Sequence, residues 1–200
     1  MPRVSPERLH LRRREILTGA RTCFARFGYE GATVRRLEDE IGLSRGAIFH
    51  HFKDKDSLFL AVAEDDAVQM ADTVARHGLV QVMRDLAAES DSNVITGWLG
   101  SQLEVSRRLR TDAAFAKAWE DRKHAISRAT RDRLARQRDA GILRTDVRIE
   151  VLAQFLELAY DGLITHLAMG ADDSGLSEVL DLVEAAVRRP TATPHDDNVG

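Results

Sequence analysis

Cysteine, proline and long apolar runs are scarce in this 200-residue chain. Its single cysteine, Cys23, excludes an intrachain disulfide and a thiolate cluster for zinc or iron–sulfur chemistry. Set between apolar helix positions, it reads as small core filler. No run of about 18 apolar residues is present to span a bilayer. The arginine-rich segment from Met1 to Arg14 lacks the hydrophobic stretch of a signal peptide. These absences predict a soluble, cytoplasmic protein with no membrane partner. Alternation of period two is also missing, so no sheet is expected. Nor is there a Gly-rich phosphate loop, a nucleophile elbow, or a His-Glu-x-x-His or cysteine–histidine spacing, which argues against an enzyme.

What is present is helical periodicity and an uneven charge. Hydrophobic residues make up 44% of the chain, enough for a substantial core. Residues 1–55 hold 12 Lys or Arg against 7 Asp or Glu, whereas residues 56–200 hold 17 against 25. A basic head on an acidic body suggests that one end meets a polyanion; the alternative is chance clustering of solvated arginines. Ile16, Leu17, Ala20, Phe24 and Phe27 share one face of a first helix, expected from about Arg12 to Phe27 with Gly28 as a left-handed C-cap. Thr33 caps a short second helix that Gly42 ends, and Ser44 caps a third from Arg45 to about His51 with Ile48 and Phe52 inward. Two short helices joined by a Gly-containing turn form a helix-turn-helix.

Asp54 then caps a long fourth helix that stops at Gly78. Later periodic segments centre on 82–86, 94–109, 115–138, 151–167 and 176–187, with breaks at 91–93, Asp112, Gly141 and 170–175. The fold class is therefore all-α. The expected units are a three-helix head over 1–55 that carries the helix-turn-helix, a helical body over 56–189, and a disordered tail over 190–200.

The head has residue types suited to DNA. A helix-turn-helix lays its second helix in the major groove. Ser44 offers a hydroxyl and open amides to a phosphate, and Arg45 can reach the O6 and N7 of a guanine bidentately. Gly46 and Ala47 let the helix axis approach the groove floor, and Thr33 and Lys55 sit where they can clamp phosphates on either side. Arg35, Phe49, His50 and His51 complete the candidate DNA-binding set. Adjacent histidines point about 100° apart on a helix, so a phosphate or base contact is favoured over a shared metal.

The segments Gly28-Tyr29-Glu30-Gly31-Ala32-Thr33-Val34, Gly42-Leu43-Ser44-Arg45-Gly46-Ala47-Ile48-Phe49-His50-His51-Phe52 and Lys55-Asp56-Ser57-Leu58 together resemble the DNA-binding signature of the TetR family. The chain departs from that pattern at Phe49, where relatives carry a Tyr whose hydroxyl meets a phosphate, and at Glu38 and Ile41, where they carry Ala. The phrases Arg144-Thr145-Asp146-Val147, Ile149-Glu150-Val151-Leu152 and Gly175 to Glu184 further resemble the actinobacterial aconitase-repressor branch.

The resemblance implies a homodimeric, ligand-responsive repressor that binds double-stranded operator DNA. Its last two helices would pair with a second copy; the alternative is that they only complete an internal core. Leu152, Phe155, Leu156, Ala159, Leu163 and Leu167 form one broad apolar face, and Leu176, Val179, Leu180, Val183 and Val187 another. The branch further implies citrate with magnesium as effector, with no obligatory cofactor, held at Arg133, Gln137 and Glu184. Glu184 would meet the metal. Arg133 and Gln137 lie four apart on one helix face, so a guanidinium and an amide can converge on carboxylates. Three alternatives stand beside this reading: Arg133 and Glu184 as an ordinary surface pair, another effector such as iron or a hydrophobic small molecule, and a metal-dependent enzyme using Glu157, Asp161 and His166. A nonspecific architectural DNA binder would not need so long a body.

Overall fold

The computed structural model describes residues 6–89 and 93–189. Among them lie α1 (Pro6–Gly31), α2 (Val34–Ile41), α3 (Arg45–His51), α4 (Lys55–His77), α5 (Leu79–Ala88), α6 (Asn93–Glu104), α7 (Ser106–Thr111), α8 (Ala113–Asp139), α9 (Ile149–Ala168) and α10 (Leu176–Val187). The described residues form no strand. One isolated antiparallel bridge, Leu143 with Arg188, ties the end of α10 to the loop after α8. No helix among them is long and apolar enough to cross a membrane. The tail expected over 190–200 lies outside the described residues, as do Asp91 and Ser92 of the expected break.

The local signals behave as their chemistry dictates. Thr33 accepts from the Arg36 amide, Ser44 from the Ala47 amide, and Asp54 and Ser57 exchange bonds in a capping box. Gly42 sits in the left-handed region (φ 73°, ψ 22°) and closes α2.

Two elements differ from the sequence expectation. Helix α1 starts at Pro6 rather than near Arg12 and continues past Phe27 to Gly31. Its first turns are exposed, and Leu9 and Leu11 stand two apart rather than at helical spacing, so no apolar period marks them, although arginine and leucine are good helix formers. Gly28 is a kink (φ 70°, ψ 171°) rather than a left-handed C-cap. The second difference is that 94–109 divides into α6 and α7 at Val105, which is wholly buried.

Packing produces two cores. One joins α1–α4 to the body through Phe24, Tyr29, Phe59, Trp98, Phe115 and Trp119. The other collects aliphatic side chains of α4, α5 and α8–α10, among them Val74, Met83, Leu134, Leu156 and Leu180. A close approach seats α1 on α6: a Cβ placed on Gly97 would lie 2.1 Å from the carbonyl oxygen of Ala25. Ser101 reinforces that crossing by donating to the Phe24 carbonyl at 2.6 Å. The 55/56 boundary therefore falls within a continuous core that the head shares with the body.

Candidate nucleic-acid interface and effector cleft

Helix α3 turns Ile48 and the following Phe52 inward and leaves Ser44, Arg45, Gly46 and His50 exposed. Nothing lies within 4 Å of a Cβ placed on Gly46, so internal packing does not require a glycine there. Ala47, Phe49 and His51 are half-buried, Phe49 against the head core. The His50 and His51 rings meet edge to face at 5.5 Å. Burial holds the His51 imidazole below its ordinary range, aided by His50, Arg13 and Arg12. Thr33, the N-cap of α2, and Arg35 in its first turn are exposed.

Glu38 has a role that its type alone did not announce. Its carboxylate accepts from the Arg45 amide, bracing the first turn of α3 from α2. Arg8 and Arg12 were also missed. The unexpected first turns of α1 bring them to the groove bordered by Gly46, Ala47, His50 and His51, extending the basic surface beside α3. The arginine-rich start of the chain was the available signal.

Lys55 is held by the protein itself. Its ammonium donates to the Tyr29 carbonyl at 2.9 Å and lies 4.5 Å above the Tyr29 ring centroid. Tyr29 also donates through its hydroxyl to Asp56, to which Arg108 of α7 donates bidentately. Glu104 at the end of α6 accepts from the Tyr29 amide at 2.8 Å. A Cβ at Gly28 would come within 2.5 Å of a Glu104 oxygen, so only glycine fits that approach without displacing the carboxylate. These groups form a latch between α6–α7 and the head. Arg108 holds the Asp56 carboxyl below the usual carboxylate range, against a smaller upward push from burial.

A cleft at the opposite end of α4 is lined by residues that include Arg133, Gln137 and Glu184. It encloses about 620 Å³, counting its open mouth. Arg84 and Arg188 line it as well, and both donate to Glu184; the Arg84 bond is 2.9 Å. These two arginines keep the Glu184 carboxyl below its ordinary range, Arg188 most strongly. Arg133 reaches back to α4, donating to the Arg76 carbonyl at 2.7 Å and the Ala75 carbonyl at 3.3 Å, while its buried Nε has no partner. Sequence spacing could find Arg133 and Gln137 on one helix, but Arg84 and Arg188 come from other helices.

Glu157, Asp161 and His166 are not gathered into one site. Glu157 and Asp161 line a different cavity, whereas His166 Nε2 lies 2.8 Å from the Asp172 carbonyl oxygen beyond the end of α9. The broad apolar faces expected on α9 and α10 prove to be two faces on each helix. Leu152, Leu156, Leu163, Leu167, Leu180 and Val187 are buried in the second core. Val151, Phe155, Leu158, Val179 and Leu182 point outward, Leu158 and Leu182 at 65% and 71% exposure.

Residues 16–62 match the family described as bacterial regulatory proteins, tetR family. The chain is 57% identical to the HTH-type transcriptional repressor AcnR of Corynebacterium efficiens, over 89% of this chain and 93% of that protein. The chain belongs to the TetR family. It is 52% identical to the HTH-type transcriptional repressor Rv1474c of Mycobacterium tuberculosis, over 94% of this chain and all of that one. These relatives place it in the aconitase-repressor branch of TetR regulators. A TetR transcription regulator from Haloarcula marismortui shares the fold, with a TM-score of 0.73 at 19% identity over 90% of this chain and all of the other. The protein is thus a TetR-type transcriptional repressor rather than an enzyme.

Proposed function

We propose that this repressor acts as a homodimer on an aconitase operator and that citrate bound with magnesium in the α4–α8–α10 cleft alters its hold on DNA. The observation that carries the effector reading is the chemistry of the cleft. Arg84, Arg133 and Arg188 converge there with Gln137 and the single acid Glu184. A bare divalent ion would find one carboxylate, already engaged by two guanidinium groups. Among the described residues no set of three or more His, Cys, Asp or Glu side chains is arranged to hold a metal. A tricarboxylate that brings its own metal suits this set better: its carboxylates can meet arginines, and Glu184 can meet the metal. The Arg133 Nε is buried without a partner, so turning the side chain from α4 toward such an anion would give it an acceptor.

The same arginine supplies a route to the head. Arg133 binds the last carbonyls of α4, where cations are favoured by the helix dipole, and the first turn of α4 lies at the Tyr29–Asp56 latch. A ligand that draws Arg133 from those carbonyls perturbs α4 at the end opposite the DNA-binding helices. The outward stripe of Val151, Phe155 and Leu158 on α9, with Val179 and Leu182 on α10, supports a second copy as its cover.

Thermal shift tests the effector. Citrate with magnesium at millimolar concentration should raise Tm, each alone should do much less, and Gln137→Ala and Arg133→Ala should remove the response. Absence of any shift in the unaltered protein would discard the citrate reading and leave the repressor intact. For DNA, Arg45→Ala should cost about 1–3 kcal/mol of operator binding and relax sequence preference. Equal affinity for cognate and altered half-sites in the unaltered protein would remove Arg45 from base readout. Leu158→Glu combined with Leu182→Glu should yield monomers in sedimentation; an unaffected dimer would move the interface elsewhere.

A further inference from the structure

One residue ties both sides of the turn between α2 and α3. Glu38, half-buried on α2, accepts from the Gly42 amide at 2.9 Å through its backbone carbonyl and from the Arg45 amide at 2.5 Å through its carboxylate. The first bond closes α2 and the second holds the opening residue of α3 against it. Ser44 caps the same turn through the Ala47 amide, but that bond is internal to α3, whereas the Glu38 bond crosses the turn.

Helix α3 has seven residues, too few to hold its course by its own hydrogen bonds. Ile48 anchors its middle in the core, while Ser44, Arg45 and Gly46 at its start are exposed. Core packing therefore does not seat the first turn, and the Glu38 bond bears directly on where the Arg45 side chain leaves the surface.

Glu38 is also an acid on a basic surface. Exposed Arg35 stands one turn before it on α2, Arg45 opens α3, and Arg8 and Arg12 border the groove on the other side of that helix. Among the described residues the Glu38 carboxylate has a backbone amide as its partner rather than a cationic side chain. A carboxylate so placed opposes the phosphates of any duplex, whatever its sequence. We propose that Glu38 is a positioning residue that sets sequence discrimination: it fixes Arg45 for base contact through the Arg45 amide, and its charge weakens the sequence-independent hold on phosphates. The proposal rests on the repressor assignment and on base readout by Arg45.

Substitution separates the two effects. Glutamine keeps an oxygen acceptor of the same reach and loses the charge; alanine loses both without lowering the helix propensity of α2. The test uses the full-length protein without citrate, a duplex selected by the unaltered protein from a random library, and a scrambled duplex of the same composition, with binding read by fluorescence anisotropy. At about 0.1 M salt, Glu38→Gln and Glu38→Ala should each bind the scrambled duplex about threefold or more tightly than the unaltered protein does, and this gain should shrink as salt rises. Glu38→Gln should gain similarly on the selected duplex, keeping its ratio of affinities within about twofold of the unaltered ratio. Glu38→Ala should lose about tenfold of that ratio, and Arg45→Ala at least as much. A merely structural role predicts that Glu38→Ala binds both duplexes more weakly, with no salt-dependent gain in either variant. That result, or a ratio kept in Glu38→Ala and lost in Arg45→Ala, would overturn the proposal. A ratio kept in Arg45→Ala would instead remove the base readout on which it rests.

Discussion

Around Phe59, the rings of Phe24, Tyr29, Trp98, Trp119 and Phe115 have centroids 5.0–6.4 Å away, in edge-to-face, tilted and stacked contacts. Among the described residues, the buried members of the core beneath α9 and α10 are aliphatic side chains and Met83, with Tyr160 half-buried against them. The aromatic core spans the head and the body and sets rings from α1, α4, α6 and α8 in mutual contact. Ring pairs of this kind add geometric preference to area burial. The aliphatic core borders the cleft that holds Arg133 and Glu184, and its helices meet through side chains that repack more readily. The difference separates two tasks: the first core sets the position of the recognition helix, and the second flanks the space a ligand can enter.

The largest effect should come from Phe59→Ala, at about 3–5 kcal/mol of stability by urea denaturation, together with loss of operator binding. Leu156→Ala in the aliphatic core should cost about 2–4 kcal/mol and leave operator affinity of the folded protein nearly unchanged. Equal damage to DNA binding from both would erase the contrast.

Next is Gly97→Ala, whose Cβ meets the Ala25 carbonyl oxygen at 2.1 Å. Forcing α1 and α6 apart should cost about 1–3 kcal/mol and weaken operator binding more than an alanine at Gly100, where a Cβ meets nothing within 4 Å. Similar behaviour of the two variants would show that this crossing does not position the head.

Arg108→Met should have a smaller effect on stability. Asp56 retains 37% side-chain exposure, so water screens the pair and about 1 kcal/mol is expected. The lowered Asp56 pKa makes this contribution present above the ordinary aspartate range and lost as pH falls through the folded value. The stability gap between Arg108→Met and the unaltered protein should therefore narrow on acidification below about pH 4. A gap constant down to pH 2 would assign the loss to packing.

The smallest effect is kinetic. Cys23 is fully buried, and its thiol is pushed up to about 11, first by burial and then by Glu40. A thiol reagent at neutral pH should label it only through transient opening. Phe59→Ala should speed labelling far more than Leu156→Ala; equal rates would mean that Cys23 reports global unfolding alone.

Much of this architecture could be read along the chain because its signals are local. A hydroxyl or carboxylate caps amides two or three residues away, so Thr33, Ser44 and Asp54 mark helix starts without knowledge of the fold. The start of α1 escaped because a solvated helix has no apolar period to display. The latch escaped for a different reason: Tyr29 finds Asp56 27 residues away and Arg108 79 residues away. The cleft at Arg133 was half visible, since Arg133 and Gln137 share a helix face whereas Arg84 comes from α5 and Arg188 from the end of α10.

The sequence alone determined that this chain is helical, where most helices begin and end, and that a recognition helix opens with Ser44, Arg45 and Gly46. Those outcomes depend on caps, propensity and spacing within a few turns. Only the tertiary structure decided that Lys55 turns onto Tyr29, that Glu184 is held between two arginines, and which apolar stripe of α9 and of α10 remains outside. Charge pairing and burial depend on what distant helices bring alongside, and residue type cannot specify that neighbour.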